Sequence, residues 1–447
     1  MISFVIHSVA SLKGIVSLPG DKSIAHRSLI ISSIAPGKTR IENFPLNQDC
    51  LATLKAFRML GITITRKDNV KRATSTVEVF GRGIWGLTKP AKGIWAGDSG
   101  TTLRLISGLL SGQRFSCRLT AGKSLSRRPM LRVTEPLRLM GANIKSNRRK
   151  GEREEFAPLT IKGSLLHSIT YRLPVPSAQV KSAILLAALF ANGKTKIIEP
   201  ISSRDHTERM LGAFQAGIKL YKNTILIDGL SELVSPKRID VPGDLSSAAF
   251  FMVLGVLAPK SRILINKVSL NPSRTGVIRV LKRMGARIKT KKRSVSKNGG
   301  EPCGDVKVES SRLKGVRVEK DEIPSIIDEL PVLMVAACLA KGLTIFEGTG
   351  ELRVKETDRI RSMVENLQKM GADVRVQKSG AMDKIRILGG KELKGTRVRS
   401  FGDHRTAMSM IVAGLLASGD TRLDDISCIN KSFPNFLNIL NHLTEKS

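Results

Sequence analysis

Six times along this chain a glycine-marked loop leads into a helix of small and apolar residues, then a second glycine turn and a short β-type run. The helices carry GDKSIAHRSLIISSIA from Gly20, GDSGTTLRLISGLL from Gly97 and PSAQVKSAILLAALFA from Pro176. They continue with GDLSSAAFFMVLGVLA from Gly243, DELPVLMVAACLA from Asp328 and GDHRTAMSMIVAGLLA from Gly402. Polar residues gather at the helix starts, where free backbone N–H groups and the helix dipole favour anions. Several such starts aimed at one space would suit a heavily anionic small molecule. A repeat fold implies much of this by itself, so the repeat alone proves no function.

A second, amphipathic helix follows each β-type run and ends in a glycine, at Gly61, Gly141, Gly217, Gly285 and Gly371. Apolar residues there recur every three or four positions, and the closing glycine fits a helix C-terminal cap. These glycines lie 68 to 86 residues apart, one βαβαββ-sized unit per interval and longer than a solenoid repeat. The simplest division of the 447 residues is three units per domain, with a boundary near Asp240–Gly243. The last helix, roughly Phe433–Leu443, runs out with no strand after it, whereas the chain opens on an isolated β-type run, Ile2–Val9. The opening strand is therefore expected to complete the sixth unit. The domains expected are residues 20–240, and residues 1–19 with 241–447. The chain would cross between them twice, which makes a natural hinge. Lys289–Asp305 (KTKKRSVSKNGGEPCGD) reads as an exposed, mobile insertion loop.

Charge is the anomaly: 74 Lys and Arg against 38 Asp and Glu give +36. Such an excess first suggests nucleic acid. It is spread over most of the length, however, and aromatics are only 4%, which leaves little on which to stack bases. An anionic substrate or a generally basic proteome accounts for it more simply. Apolar runs such as Ala183–Ala191 fall short of a membrane span, and the N-terminus lacks the features of a signal peptide. Five scattered cysteines without C-x-x-C spacing read as free thiols in a reducing cytoplasm.

Several motifs dissolve on inspection. Gly81–Gly86 matches G-x-G-x-x-G, but Pro90 and Gly93 forbid the helix that should receive a pyrophosphate. Gly-Lys-Ser/Thr occurs three times without the upstream glycine of a P-loop. His26, His206 and His404 share no metal-ligand spacing and read as donors supporting a site from behind or as structural hydrogen bonders. The densest chemical segment is Leu352–Arg359 (LRVKETDR). A helix starting near Lys355 would put Lys355 and Arg359 one turn apart, with Glu356 beside them. Surface ion pairs on a solvated helix explain most such strings. Against that, Asp328 and Asp403-His404-Arg405 occupy comparable loop–helix junctions. One carboxylate near several cations can stay ionised as a base while another is tuned to donate a proton.

LPGDKSIAHR (Leu18–Arg27), GDSGTTLR (Gly97–Arg104), SRRPM (Ser126–Met130), SAQVKSA (Ser177–Ala183), RDHTE (Arg204–Glu208), RVKETDR (Arg353–Arg359) and GDHR (Gly402–Arg405) together resemble the 5-enolpyruvylshikimate-3-phosphate synthase family. The match is collinear over nearly the whole chain. The resemblance implies an α/β fold of two similar domains, each of three βαβαββ units in an inside-out α/β barrel, that close over the site. It implies transfer of the enolpyruvyl group of phosphoenolpyruvate to the 5-hydroxyl of shikimate 3-phosphate through a tetrahedral intermediate, with no metal or organic cofactor. By motif, Lys22, Ser23, Arg27, Ser177, Ala178, Gln179, Arg204, Asp328 and Lys355 would hold shikimate 3-phosphate. Lys22, Gly100, Arg128, Gln179, Arg359, Arg405 and Lys431 would surround phosphoenolpyruvate.

Asp328 would take the hydroxyl proton, Glu356 would exchange protons with the methylene carbon, and Lys22 would stabilise developing charge. The first domain would mainly bind shikimate 3-phosphate, and the second would supply the carboxylates and part of the phosphoenolpyruvate site. A cytoplasmic monomer is implied. Glyphosate is the expected inhibitor at the phosphoenolpyruvate site, since Gly100 stands where a tolerant relative carries alanine. Asp98, Ala178 and Leu105 depart from residues seen in other members. The related transferase acting on a UDP-sugar carries a reactive cysteine where Lys123 stands here. An RNA-binding protein of similar repeat architecture is the alternative that only the charge favours.

Overall fold

The computed structural model describes residues 4–293 and 300–444. They fall into two units. The first is Pro19–Val241 with Val295–Glu301, of which the structure describes 300–301. The second is Met1–Leu18, Pro242–Ser294 and Pro302–Ser447.

Each unit repeats one module three times. A buried helix leads to a central strand, a second helix follows, and in all but the last module of the second unit a hairpin returns alongside. In the first unit the central strands are Gly37–Pro45, Ser116–Thr120 and Lys194–Ile198. Each has a parallel neighbour on one side and an antiparallel one on the other. The parallel neighbour of Gly37–Pro45 is Arg238–Asp240, from the far end of the unit, in register Ile239 with Ile41. The second unit follows the same plan about Arg262–Ser269 and Gly342–Glu347. Its first sheet takes its parallel edge from Lys13–Ser17. Its last takes Phe4–Ile6 antiparallel to Thr421–Leu423. The opening strand, described over Phe4–Ile6, thus completes the sixth module, as the sequence suggests.

The buried helices are Lys22–Ile34, Gly100–Ser111, Ala178–Ala188, Leu245–Leu257, Leu330–Leu339 and His404–Leu415. They are packed on nearly all sides and form one apolar core per unit. Small residues make this possible. A Cβ on Gly108 would stand 2.1 Å from the Ala183 carbonyl, so two helix backbones meet there. Three buried serines meet their hydrogen-bonding need within the helix: Ser33 donates to the Leu29 carbonyl, Ser107 to Leu103 and Ser111 to Ser107.

Gly61, Gly141, Gly285 and Gly371 take φ of 85°, 95°, 100° and 90°, the left-handed cap conformation. Gly217 does not: the helix His206–Ala213 ends earlier and Gln215 takes the left-handed position, φ 60°. Two other expectations are corrected. Much of Lys289–Asp305 is strand, since Arg287–Lys292 and Cys303–Glu309 pair antiparallel; residues 294–299 lie outside the described residues. The helix of the LRVKETDR segment starts at Arg359, because Asp358 caps it by accepting the Arg361 N–H at 3.0 Å. Lys355 instead ends a 3₁₀ turn, Gly350–Val354.

Candidate functional site

The helix starts are more self-satisfied than the sequence suggests. Asp21 accepts the Ile24 N–H, Ser99 that of Thr102, and Ser177 that of Val180. Asp244 accepts the Ser246 N–H, and Asp403 those of Arg405 and Thr406. Capping consumes these donors, and three caps are themselves carboxylates. The groups left to offer an anion are therefore lysine and arginine side chains more than bare helix ends.

In the first unit, Lys22 opens its helix and reaches Asp49 at 2.9 Å. Arg27, one turn on and 3% exposed, donates to Thr207 at 2.6 Å, to the Ser23 carbonyl at 2.9 Å and to Ser182 at 2.7 Å. It thereby ties the segments bearing Ser23, Ala178 and Arg204. Burial lowers its pKa to about 10, which leaves it charged at neutral pH. Two of its five N–H groups are not used in these bonds. His26 bonds Thr53, Thr53 bonds Thr102, and Thr102 bonds Ser99, a hydroxyl chain joining three helices. Burial, with Lys22 and Arg27 nearby, holds His26 well below its ordinary pKa, so it stays neutral and structural.

Arg104 links the Gly100 helix to Gln179: it donates to the Gln179 Oε1 at 2.5 Å and to the Pro129 carbonyl at 3.1 Å. Gln179 in turn donates to Thr101 at 3.0 Å. Arg128 crosses Gly100 so closely that a Cβ there would stand 3.1 Å from its guanidinium nitrogen. The Asp98 carboxylate accepts the Ser124 and Leu125 N–H groups, fixing the loop that leads to Arg128. Lys181, wholly buried, pairs with Glu199 at 2.7 Å and Glu208 at 2.6 Å, and Glu199 holds Ser203 next to Arg204. Burial opposes the Lys181 ammonium, but the two carboxylates outweigh it and keep its pKa above the ordinary value.

The second unit gathers carboxylates on one arginine. Arg359, 1% exposed, donates from Nε to Asp403 at 2.9 Å, and from its two terminal nitrogens to Asp328 at 3.3 Å and Glu356 at 2.6 Å. Burial works against this guanidinium, yet the three acids raise its pKa further. Asp403 is fully enclosed, whereas the Asp328 and Glu356 side chains keep 23% and 20% of their exposure. Those two can meet a substrate. Arg405, 4% exposed, has a buried Nε with no hydrogen-bond partner among the described residues. Lys355 and Lys431 each stand at the end of a 3₁₀ turn, half-buried.

The structure thus brings together Arg27, Ser182 and Thr207; Gly100, Arg104, Arg128 and Gln179; and Asp328, Glu356, Arg359 and Asp403. Sequence reasoning missed the parts played by Arg104, Lys181 and Arg353. The one signal for Lys181 is a lone charge inside the otherwise uncharged helix AQVKSAILLAA.

Comparison with known proteins shows the family. The sequence profile of the EPSP synthase (3-phosphoshikimate 1-carboxyvinyltransferase) family matches residues 6–440. The chain is 48% identical over 434 residues to the 3-phosphoshikimate 1-carboxyvinyltransferase of Geotalea daltonii, covering 97% of each. It is 46% identical to that of Geobacter sp. (strain M21) over all of both chains. Among solved structures it resembles EPSP synthase from Acinetobacter baumannii, with TM-score 0.85 and 41% identity, covering 99% of this chain and 98% of that one. The enolpyruvyl transferase NikO from Streptomyces tendae, at TM-score 0.75 and 18% identity over 99% and 97%, shares the fold.

Proposed function

The chain belongs to the EPSP synthase (3-phosphoshikimate 1-carboxyvinyltransferase) family, and from that premise we propose which of its residues carry the transfer. The reaction joins the enolpyruvyl group of phosphoenolpyruvate to the 5-hydroxyl of shikimate 3-phosphate and releases phosphate. The observation that carries the assignment is the shared arginine: Arg359 holds Asp328 and Glu356, both partly open, on one guanidinium.

Asp328 accepts the proton of the 5-hydroxyl as its oxygen attacks C2 of phosphoenolpyruvate, and Glu356 delivers a proton to C3. In the elimination that follows, a proton returns from C3 to a carboxylate while the C2–O bond to phosphate breaks. Three carboxylates share this one guanidinium. The arrival of anionic substrates raises the proton affinity of an exposed member, which is what a general acid needs. Two Arg359 N–H groups remain outside its carboxylate bonds and can reach phosphoenolpyruvate. Arg405, without a carboxylate partner among the described residues, is suited to a substrate anion, and Arg128, Lys22 and Lys431 add further charge.

Shikimate 3-phosphate is assigned to Lys22, Ser23, Arg27, Ser177, Ala178, Gln179, Arg204, Asp328 and Lys355, so the first unit mainly binds this substrate and the second supplies the carboxylates. Gly100 and Gln179 complete the phosphoenolpyruvate set. Glyphosate is proposed as an inhibitor there. The proposal extends to a cytoplasmic monomer, which light scattering after size exclusion tests for oligomeric state. Among the described residues no helix is long and apolar enough to cross a membrane.

Phosphate release from phosphoenolpyruvate, measured with shikimate 3-phosphate and with a UDP-sugar acceptor, tests the substrate pair. Glu356→Gln and Asp328→Asn test the roles. Each should lower kcat by about 10²–10⁴-fold with KM changed far less, because shape is kept while proton transfer is lost. Near-normal turnover in either removes that residue from the assignment.

A further inference from the structure

Lys355 and Glu356 stand on residues 354–357, a stretch between the 3₁₀ turn Gly350–Val354 and the helix that begins at Arg359. Beyond its first residue the stretch is neither helix nor strand, so something else must hold it. Arg353 spans it. Its NH1 donates to the Asp358 Oδ2 at 2.9 Å, on the far side of the stretch, and its Nε to the Asp383 Oδ2 at 2.5 Å.

Both partners are anchored independently. Asp358 uses its other oxygen to cap the helix through the Arg361 N–H. Asp383 is 1% exposed; its Oδ1 accepts the Ser379 N–H at 2.6 Å, and its carbonyl accepts the Thr349 N–H and hydroxyl at 3.0 Å. One guanidinium therefore closes both ends of the stretch onto a fixed turn. On the other side Glu356 meets Arg359.

We propose that Arg353 is a positioning residue for the enolpyruvyl transfer: it clasps residues 354–357 so that the Glu356 carboxylate is held at the reacting carbon. The inference rests on the assignment of Glu356 as a proton-transferring group. A structural ion pair would need only one of the two carboxylates, whereas this arginine, at one end of the segment that bears the acid, grips Asp358 at the other end and Asp383 in the fixed turn at once. Proton transfer to carbon tolerates little displacement, and a misplacement of about 1 Å can cost about a hundredfold in rate. The long Lys355 side chain absorbs such a shift more easily, so turnover should suffer more than binding.

The test uses Arg353→Met, Arg353→Lys, Asp358→Ser and the Arg353→Met/Asp358→Ser double variant. Serine keeps the helix cap while removing the carboxylate that Arg353 grips, so Asp358→Ser carries the test even if an Arg353 variant folds poorly. Arg353→Met and Asp358→Ser are each expected to lower kcat about ten- to hundredfold, with KM for both substrates within about threefold. The double variant should be no worse than the worse single, because the two residues act as one device. Arg353→Lys, reaching one carboxylate at a time, should recover part of the loss.

A kcat within twofold of wild type in both singles overturns the inference. So does a loss that multiplies in the double variant, or one that vanishes at a temperature where every variant is fully folded. Glu356→Gln, assayed alongside, separates the two claims. If it leaves turnover intact, the acid assignment fails; if it abolishes turnover while the clasp variants do not, only the clasp fails.

Discussion

Gly100 shows how much one hydrogen atom can decide. A methyl group there would stand 2.8 Å from the Arg104 NH1 and 3.1 Å from the Arg128 NH1, both tighter than ordinary contact. Arg104 is held by Gln179 and the Pro129 carbonyl, so much of the adjustment falls on Arg128. Gly100→Ala should therefore weaken glyphosate at least about tenfold and phosphoenolpyruvate by a smaller factor, because the shorter substrate needs less of the space beside Arg128. Inhibition constants and KM for both proteins check this, and equal losses would defeat the steric argument.

At this scale the motifs RVKETDR and GDHR singled out Glu356, Arg359 and Arg405, whereas Asp328, in the mostly apolar stretch PSIIDELPVLM, was marked only by its place at a loop–helix junction and by the family resemblance. Lys181 and Arg353 were not legible in their roles. Their partners Glu199, Glu208 and Asp383 are 18 to 30 residues away, and nothing in local spacing says which carboxylate will be enclosed with which cation. His26 was readable as structural, but not the hydroxyl chain through Thr53 and Thr102 that makes it so.

Among the elements, the hairpin of Asn143–Arg148 and Glu155–Lys162 is locked to the helix Leu131–Leu139 by one buried acid. Glu155 bonds Thr134 at 2.6 Å, Arg138 at 2.9 Å and Arg148 at 2.6 Å. Burial alone would raise its pKa, but these donors together hold it at about 2, against an ordinary 4.5. A depressed carboxyl stabilises the fold above its unfolded pKa and loses that contribution as pH falls through the folded value. Glu155→Gln should thus cost on the order of 2 kcal/mol at pH 7, and the gap to wild type should close as pH falls from about 4.5 toward 2. Urea unfolding at several pH values measures the difference; a gap independent of pH would mean that packing, not charge, is what Glu155 contributes.

Element existence was largely legible because the repeat presents each helix type several times, each with its own periodicity. The failures have a common cause. The run KTKK looks like loop because a half-exposed strand needs few apolar residues: Ile288 is the buried residue of Arg287–Lys292, and the pairing comes from Val306 and Val308 opposite. In the LRVKETDR segment an acid that could begin a helix occurs twice, at Glu356 and Asp358, and only the three-dimensional cap chooses the later one.

For the whole molecule the unabsorbed fact is the charge of +36. Many of its cations are paired on the surface, as Arg283 is with Glu322 and Arg293 with Asp305, and such exposed pairs contribute little to stability. The unpaired excess still sets a positive field. Both substrates of the transfer are anions, so the field should raise their rate of encounter without touching the chemical step. Screening at 0.1 M ionic strength acts over about 10 Å, which removes long-range attraction but spares contacts inside a site.

Raising ionic strength from about 20 to 300 mM should therefore lower kcat/KM for phosphoenolpyruvate and shikimate 3-phosphate several-fold while kcat moves by less than twofold. Chloride and acetate at equal ionic strength distinguish the causes. Equal slopes mean screening, whereas a steeper loss in one salt means an anion competing for Arg405 or Arg128. A flat kcat/KM would show that the field does not serve substrate capture. RNA retention that weakens steeply with salt would then point to a polyanion as what the charge serves.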